Sequence, residues 1–173
     1  MSAIRSLHRG EFLEILRDRH WEYVRRTMAS GAVVIIAVTG EGELVLVEQT
    51  RIPLQGKTIE LPAGIVGDSE AFAGEAFETA ALRELLEETG FSASRAEVVT
   101  QGPTAAGFSS EMLTFVRAHG LVREHAGGGV DDEDITVHLV ALDAVHGWLE
   151  AKRAAGYFIE PRIYTGLWFA QNS

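Results

Sequence analysis

Three acidic residues in segment 75–90 have the types and spacing of a metal-binding group. On a helix, Glu84 and Glu88 are one turn apart, and Glu87 lies three residues from Glu84 on the same patch. Two carboxylates about 6 Å apart repel by roughly 3 kcal/mol at an effective dielectric constant near 20. A solvated acidic face can relieve this repulsion by spreading its side chains into water, which is one interpretation. The other is that the patch binds Mg²⁺, a hard cation that prefers oxygen ligands.

Segment 75–89 is predicted to be the helix that presents these acids. At 100° per residue, its apolar residues fall on one arc and its charged residues on the other. Gly90 follows the last turn, and glycine readily adopts the left-handed conformation that ends many helices.

The residue order around this helix resembles the Nudix box. That motif is Gly, any five residues, Glu, any seven residues, then Arg-Glu-hydrophobe-any-Glu-Glu-any-Gly-hydrophobe. Glu75 and segment 83–91 match every fixed position after the first. Ser69 stands where the opening glycine should be, so we interpret Gly64 as its counterpart, with five additional residues in loop 65–74. The chain therefore resembles the Nudix hydrolase superfamily.

The resemblance implies a role for each matching residue. Glu84 and Glu88 would be metal ligands, with Glu87 beside them as a ligand or as a group that orients water. Arg83 would orient these carboxylates by hydrogen bonds. Glu75 would support the helix start or pair with Arg83.

The same resemblance implies backbone contributions and a cofactor. The carbonyl of Ala63 is a candidate metal ligand because it precedes the glycine that we align with the box, and Gly90 would end the helix. Two or three Mg²⁺ ions, with Mn²⁺ as an alternative, would bridge the glutamates and the substrate phosphates.

Segment 47–64 resembles the EQxRxP…ELPAG stretch of ADP-ribose and nucleoside diphosphate sugar pyrophosphatases. Arg51 would bind phosphate oxygens bidentately, and Glu60 would pair with that arginine or bind a substrate hydroxyl. A surface ion pair is the alternative interpretation of these two residues. Loop 102–111 resembles the substrate-binding loop of the family, with Ser109 and Glu111 as candidate contacts. Members specific for ADP-ribose usually have Pro sixteen residues after the box glycine, where this chain has Ala106, so other nucleotide sugars remain open.

Segment 127–138 is a glycine-rich, acidic loop that leads into a predicted strand. In the resembling branch, such a loop brings a carboxylate over the metals. We predict Glu133 as the general base, with Asp131 as the second candidate. A solvated acidic loop is the alternative.

The implied reaction is attack of water on one phosphorus of a P–O–P bridge, which releases a nucleoside monophosphate and a sugar phosphate. One alternative is a Nudix nucleoside-triphosphate pyrophosphohydrolase, although such chains are generally shorter and lack the 47–53 stretch. Another is a non-catalytic nucleotide-binding Nudix-like module, although such modules lose the box glutamates that this chain keeps.

Composition and charge limit the kinds of partner, metal site and location that are expected for this chain. The net charge of −10 disfavours nucleic acid as a partner, so a small-molecule nucleotide sugar is the expected substrate. The chain has no cysteine and its six histidines form no HxH or HxxxH pair, which excludes thiol chemistry and disfavours catalytic zinc. No apolar run is long enough to span a membrane, and the cytoplasm is the expected location.

The other predicted elements alternate between strands and helices, which indicates a single α/β domain. Strands 31–39 and 43–49 are predicted to form a hairpin across Gly40–Gly42, and a further helix is predicted to begin at an N-cap, Asp143. The remaining predicted strands are 58–61, 96–100, 112–116 and 135–142. The helix that begins at Asp143 is predicted to span 143–155, and one more helix is predicted at 160–171. The resemblance implies a Nudix-type α/β/α sandwich, with a mixed β-sheet and helices on both faces.

The N-terminal segment 1–30 is interpreted as a strand-like extension of a Nudix domain at 31–173. Its part 12–26 is ambiguous, but the alternation over 21–25 favours a strand. Members of the resembling branch are commonly dimers with exchanged N-terminal strands. We therefore predict a homodimer in which Trp21 could help bind nucleotide in the neighbouring subunit.

Overall fold

The computed structural model of the protein describes residues 4–28, 31–67, 70–130 and 134–172. Its helices are α1 (Phe77–Thr89), α2 (Val145–Ala154) and α3 (Arg162–Gln171). Its strands are β1 (Arg5–Arg9), β2 (Leu13–Asp18), β3 (Trp21–Arg26), β4 (Gly31–Ala37), β5 (Glu43–Arg51), β6 (Gly56–Glu60), β7 (Ala63–Val66), β8 (Phe91–Pro103), β9 (Met112–Arg123), β10 (Thr136–Ala141) and β11 (Phe158–Ile159).

Two four-stranded sheets make up the body of the protein. The first has the order β7-β4-β9-β8, with β4 and β9 parallel and its other pairs antiparallel. The second has the order β10-β5-β6-β11, with β6 and β11 parallel. The predicted mixed sheet is thus two mixed sheets, and the α/β class is confirmed.

Strand β4 is buried on both faces because a helical layer covers each of them. Val33 lies in a core cluster with Leu85 of α1, whereas its neighbour Val34 lies in a second cluster with Ile163 of α3. Each fully buried aliphatic side chain of this kind contributes roughly 1.5–3 kcal/mol. Helices on both faces give the expected α/β/α sandwich. Because the apolar side of α1 packs into the core, the other side of that helix carries the acids.

The predicted hairpin of 31–39 and 43–49 is wrong beyond its turn. Val38 and Leu44 form an isolated antiparallel bridge, and the Thr39 amide donates to the Glu43 carbonyl at 2.9 Å. Beyond this point β4 and β5 enter different sheets. Each strand has two apolar faces to bury, and separate sheets allow both faces of each strand to be covered.

The predicted N-cap of the second helix is also wrong. α2 begins at Val145, its N-cap is Ala144, and no side chain caps it. Asp143 lies one residue before the N-cap position of this helix. Among the helices of the described ranges, none combines the length and apolar character needed to cross a bilayer.

The N-terminal residues form a separate antiparallel sheet of β1, β2 and β3. The ambiguous segment 12–26 therefore contains two strands, β2 and β3, joined by a turn at residues 19–20. This sheet contacts loop 104–111 through Val24, whose amide donates to the Phe108 carbonyl at 2.8 Å and whose carbonyl accepts from the Ser110 amide at 3.1 Å.

Candidate active site

Arg83 is the centre of an ion-pair cluster on α1. Its guanidinium donates to Glu84 at 2.9 Å, to Glu87 at 3.1 Å and to Glu75 at 3.3 and 3.4 Å. The Glu75–Arg83 pair was one of the two arrangements expected from the sequence. The side chain of Arg83 is only 17% exposed, and its guanidinium lies 4.3 Å from the centre of the Phe72 ring.

The charges around Arg83 keep it protonated. Burial by itself lowers the pKa of this guanidinium, but the hydrogen bond to Glu75 and the charge of Glu84 raise the pKa above its ordinary value. Arg83 is therefore a permanent cation that holds the carboxylates beside it in a fixed orientation.

The other acid of the box, Glu88, faces strand β7. It is buried, and its Oε2 accepts a hydrogen bond from the Ala63 amide at 3.1 Å. The adjacent Gly64 lies against Glu84: a Cβ added to this glycine would be 1.9 Å from the Glu84 Cδ. Segment 61–64 and the acidic helix are thus in direct contact, although Ala63 and Glu88 are 25 positions apart in sequence.

The carboxylates are not gathered around a single point. Across 4–28, 31–67, 70–130 and 134–172, no group of three or more His, Asp or Glu side chains is arranged to hold a metal ion. Arg83 bridges Glu84 and Glu87 instead. The donor set still fits a hard divalent cation, because its side chains are carboxylates. Gly64 has no Cβ, and the Glu84 carboxyl group lies where that atom would be, directly against β7.

A cleft of about 400 Å³ adjoins this cluster. It contains four of the residues predicted for the site, Arg51, Glu60, Ala63 and Glu111. It is also lined by Arg26, Ala32, Pro53, Leu54, Thr58, Gly64, Ile65, Thr104, Glu160 and Arg162. A volume of this order suits a nucleotide-sized ligand.

Arg51 and Glu60 form a bidentate pair inside the cleft. The Nε donates to one carboxylate oxygen at 2.8 Å and an Nη2 donates to the other at 2.6 Å. Glu60 is buried and also accepts from the Thr58 hydroxyl, whereas the side chain of Arg51 is 41% exposed. The two residues therefore form the expected pair, with its carboxylate buried and its guanidinium partly exposed to the cleft.

Both members of this pair are charged. Burial raises the pKa of Glu60, but the hydrogen bonds from Arg51 and Thr58 outweigh burial and lower it. The bond to Glu60 is the main cause of the raised pKa of Arg51, and the charges of Glu88 and Glu160 add to it. Arg51 thus presents a fixed positive charge close to the acidic helix.

The N-terminal sheet also lines the cleft, through Arg26. Arg26 of β3 forms an ion pair with Glu111, which also accepts from the Thr104 hydroxyl at 3.1 Å. Ser109 does not line this cleft. Its hydroxyl accepts from the Glu111 amide at 3.1 Å, and it borders a smaller cavity of about 160 Å³ beside Val24.

Sequence reasoning missed Arg26, Thr104, Glu160 and Arg162 as cleft residues. Glu160 and Arg162 form an ion pair at the start of α3. Burial raises the pKa of Glu160, and the charge of Glu60 adds to this effect while Arg162 opposes it. The only signal in the sequence was a pair of opposite charges around Pro161, which does not reveal what they face.

A buried network around Glu48 was also missed, although Glu48 lies in the 47–53 stretch. Glu48 accepts hydrogen bonds from Lys57 at 2.8 Å, Lys152 at 2.9 Å, His138 at 3.0 Å and Tyr157 at 3.3 Å. Despite burial, which raises it, the pKa of Glu48 is lowered to about 2 by these partners. The network joins β5, β6 and β10 to α2 and serves the fold.

The predicted general base, Glu133, and its alternative, Asp131, fall outside the residues that the structure describes. The preceding glycines are described, and they contact the end of α1. The amides of Gly128 and Gly129 donate to the carbonyls of Glu88 and Glu87 at 2.9 and 3.2 Å.

Comparison with known proteins identifies one family. The NUDIX domain model matches residues 28–159. The chain is 36% identical to the methanol dehydrogenase activator of Bacillus methanolicus over 71% of this chain and 64% of that protein. It is 39% identical to the ADP-ribose pyrophosphatase of Bacillus subtilis (strain 168) over 65% of this chain and 59% of that protein. It therefore spans less than two thirds of the length of both relatives.

A third relative and a solved structure match over more of the chain. The ADP-ribose pyrophosphatase of Mycobacterium tuberculosis is 35% identical over 94% of this chain and 75% of that protein. A crystal structure described as an ADP compounds hydrolase superposes with a TM-score of 0.72 at 20% identity, covering 98% of this chain and 90% of that chain. At this level of identity, the superposition supports the fold.

Proposed function

The chain belongs to the NUDIX family, and from this premise we propose that it hydrolyses the pyrophosphate of ADP-ribose or another nucleoside diphosphate sugar. The products would be a nucleoside monophosphate and a sugar phosphate. The observation that carries the proposal is the position of Arg51: it is held bidentately by buried Glu60 in a cleft that adjoins the acidic helix. The names of the relatives from B. subtilis and M. tuberculosis support this class of substrate.

Arg51 supplies the contact that distinguishes a diphosphate from a neutral ligand. Its planar guanidinium is already oriented by Glu60, so little side-chain entropy is lost when its remaining nitrogen binds a phosphate oxygen. Glu111 and Glu160 offer acceptors for sugar or base hydroxyl and amino groups along the same cleft.

Nudix hydrolases generally use divalent metal ions, and we propose Mg²⁺, with Mn²⁺ as a substitute. Glu84, Glu87 and Glu88, with the carbonyl of Ala63, would hold it. When bound, such an ion neutralises phosphate charge and lowers the pKa of a bound water.

Residues of the chain itself would position the metal ligands, accept a proton and orient the substrate. Arg83 keeps the carboxylates of α1 in place through its hydrogen bonds. Glu133, or Asp131 as the alternative, would accept the proton of the attacking water. A phosphate on Arg51 would bring the P–O–P bridge toward the acidic helix.

The proposal is tested by assaying ADP-ribose, other nucleoside diphosphate sugars and nucleoside triphosphates with Mg²⁺ and identifying the products. Glu84→Gln and Glu88→Gln should each reduce kcat by at least about 100-fold, the scale of losing an electrostatic group from an active site. Glu78→Gln, on the first turn of the same helix, is the matched control and should keep its turnover. Near wild-type turnover in either of the first two variants would contradict the metal assignment.

The same panel separates the alternatives. Preferential hydrolysis of nucleoside triphosphates would favour the triphosphate pyrophosphohydrolase. Nucleotide binding without release of any product would favour a non-catalytic module.

We further propose that the chain acts as a homodimer through its N-terminal sheet. This sheet and the residue before β2 expose large apolar side chains, among them Phe12 at 71%, Trp21 at 52% and Leu13 at 48% exposure. Several exposed large apolar groups on one small sheet favour an interface. A solution mass of one chain by light scattering would contradict the dimer and the exchange of segment 1–30.

A further inference from the structure

The glycine segment Gly127–Gly129 packs directly on the carboxyl end of α1. The last carbonyls of a helix have no partner within the helix and must find one elsewhere. Here the Glu88 carbonyl accepts from the Gly128 amide at 2.9 Å, and the Glu87 carbonyl accepts from the Gly129 amide at 3.2 Å. The backbone of this segment therefore binds the same two residues whose side chains are proposed to hold the metal.

Two glycines make this close approach possible. A Cβ on Gly127 would be 2.5 Å from the Thr89 carbonyl carbon and 2.6 Å from the Glu88 oxygen. A Cβ on Gly90 would be 2.2 Å from the His125 oxygen and 2.7 Å from the Gly127 nitrogen. All of these atoms belong to the backbone, which cannot move aside as a flexible side chain can.

The conformation of the segment adds a second requirement for glycine. Gly127, Gly128 and Gly129 have φ values of 78°, 124° and 83°, a region that other residues adopt only with strain. The contact is reinforced from the other side, because the Gly90 carbonyl accepts from the Glu124 and His125 amides at 2.8 and 3.3 Å. Segment 124–129 thus encloses the end of the helix.

We propose that Gly127–Gly129 is a positioning element for the divalent-metal site: it prevents the last turn of α1 from fraying and thereby holds Glu87 and Glu88 in register for the cation. Mg²⁺ requires near-ideal octahedral geometry, and metal–ligand distances tolerate only about 0.2 Å of variation. A frayed last turn would displace both side chains far beyond that tolerance. This inference rests on the proposed function.

The test is the affinity of the purified full chain for Mn²⁺, followed by electron paramagnetic resonance of the free ion. Gly127→Ala should weaken binding by roughly 10-fold or more, the range found when groups that support metal ligands are lost. Gly128→Ala should weaken it less, because its nearest atom, the Ile135 oxygen, is 3.9 Å from the added Cβ. Hydrogen exchange of a peptide covering 85–91 should become faster in both variants.

Gly42→Ala is the matched control. Gly42 has the same φ of 78° as Gly127, but no heavy atom lies within 4 Å of its added Cβ. It shares the backbone strain without the collision, so its Mn²⁺ affinity should stay within about 2-fold of wild type, the effect of a substitution away from the site.

The outcomes separate this inference from the proposed function. If the wild-type chain does not bind Mn²⁺, or Glu84→Gln binds it as well as wild type does, the proposed metal site itself fails. If wild type binds and Glu84→Gln does not, but folded Gly127→Ala and Gly128→Ala bind like Gly42→Ala, only the positioning role is overturned. If neither glycine variant folds by circular dichroism, the segment is a folding element and the positioning role is likewise rejected.

Discussion

Gly64→Ala should separate catalysis from stability, because the three atoms nearest to its added methyl group all belong to Glu84, a proposed metal ligand. The new Cβ would lie 1.9 Å from Cδ, 2.2 Å from Cγ and 2.2 Å from Oε1 of Glu84. An ordinary contact begins near 3.4 Å, so the carboxyl group must retreat by about 1.5 Å. That displacement is several times the tolerance of about 0.2 Å for a metal ligand.

The expected loss of turnover follows from this displacement. A misplacement of about 1 Å can reduce a rate by about 100-fold, which corresponds to roughly 2.7 kcal/mol of transition-state stabilisation. Stability should not fall in parallel. Gly64 lies in β7 without a positive φ, and alanine in a strand is favoured over glycine by about 0.5–1 kcal/mol.

The assay compares kcat in Mg²⁺ and the thermal midpoint of Gly64→Ala with those of wild type. Gly40→Ala is the control, since no heavy atom lies within 4 Å of its added Cβ and its φ is not positive. The double variant Gly64→Ala/Glu84→Gln should be no slower than Glu84→Gln alone, because both changes act through one carboxylate. Wild-type kcat in folded Gly64→Ala, or additive losses in the double variant, would refute this reasoning.

The remaining predictions concern the cleft, the buried network and the N-terminal sheet. Arg51→Lys removes the bidentate fork and should raise KM by about 10-fold; because it weakens the partner of buried Glu60, it should also destabilise the fold by about 1–3 kcal/mol in urea titrations. Glu48 has its pKa lowered from 4.5 to about 2, so the stability it contributes, about 3 kcal/mol, is complete above pH 4.5 and is lost as the pH falls toward 2. Glu48→Gln should therefore be less stable than wild type at pH 7, and the difference should shrink with acidification; a constant difference between pH 7 and pH 2.5 would contradict the assignment. Phe12→Glu should reduce the mass measured by light scattering from that of two chains to that of one chain. If wild type already has the mass of one chain, as the variant does, the proposed interface is wrong.

The acidic helix could be predicted because its information is local. Because Arg83, Glu84 and Glu87 lie within about one turn, their side chains can meet. In the structure, Arg83 donates a hydrogen bond to each of the two glutamates. The left-handed Gly90, with φ of 72°, follows from the same short segment. The predicted strands 96–100 and 112–116 lie within the longer β8 and β9, because segments rich in apolar and β-branched residues favour strands.

Errors arose where a local pattern had more than one tertiary solution. Two strands joined by a short turn can pair or diverge, and β4 and β5 diverge because each is covered on both faces. Asp143 has the chemistry of an N-cap, but the helix starts two residues later at Val145. The position of Ser109 in the substrate-like loop did not reveal that Val24 and its strand lie against it.

Residue types and their spacing were enough to predict the α/β class, the group of carboxylates on α1 and Arg51 as a candidate to bind phosphate. What these side chains face depends on the packing of distant segments. Arg26 pairs with Glu111, 85 positions away; Glu160 and Arg162 line the cleft; Gly64 lies against Glu84, and Gly127 packs on the end of α1. The spacing of side chains along one helix is set by its repeat, whereas contacts between distant segments depend on how all the apolar faces are buried together.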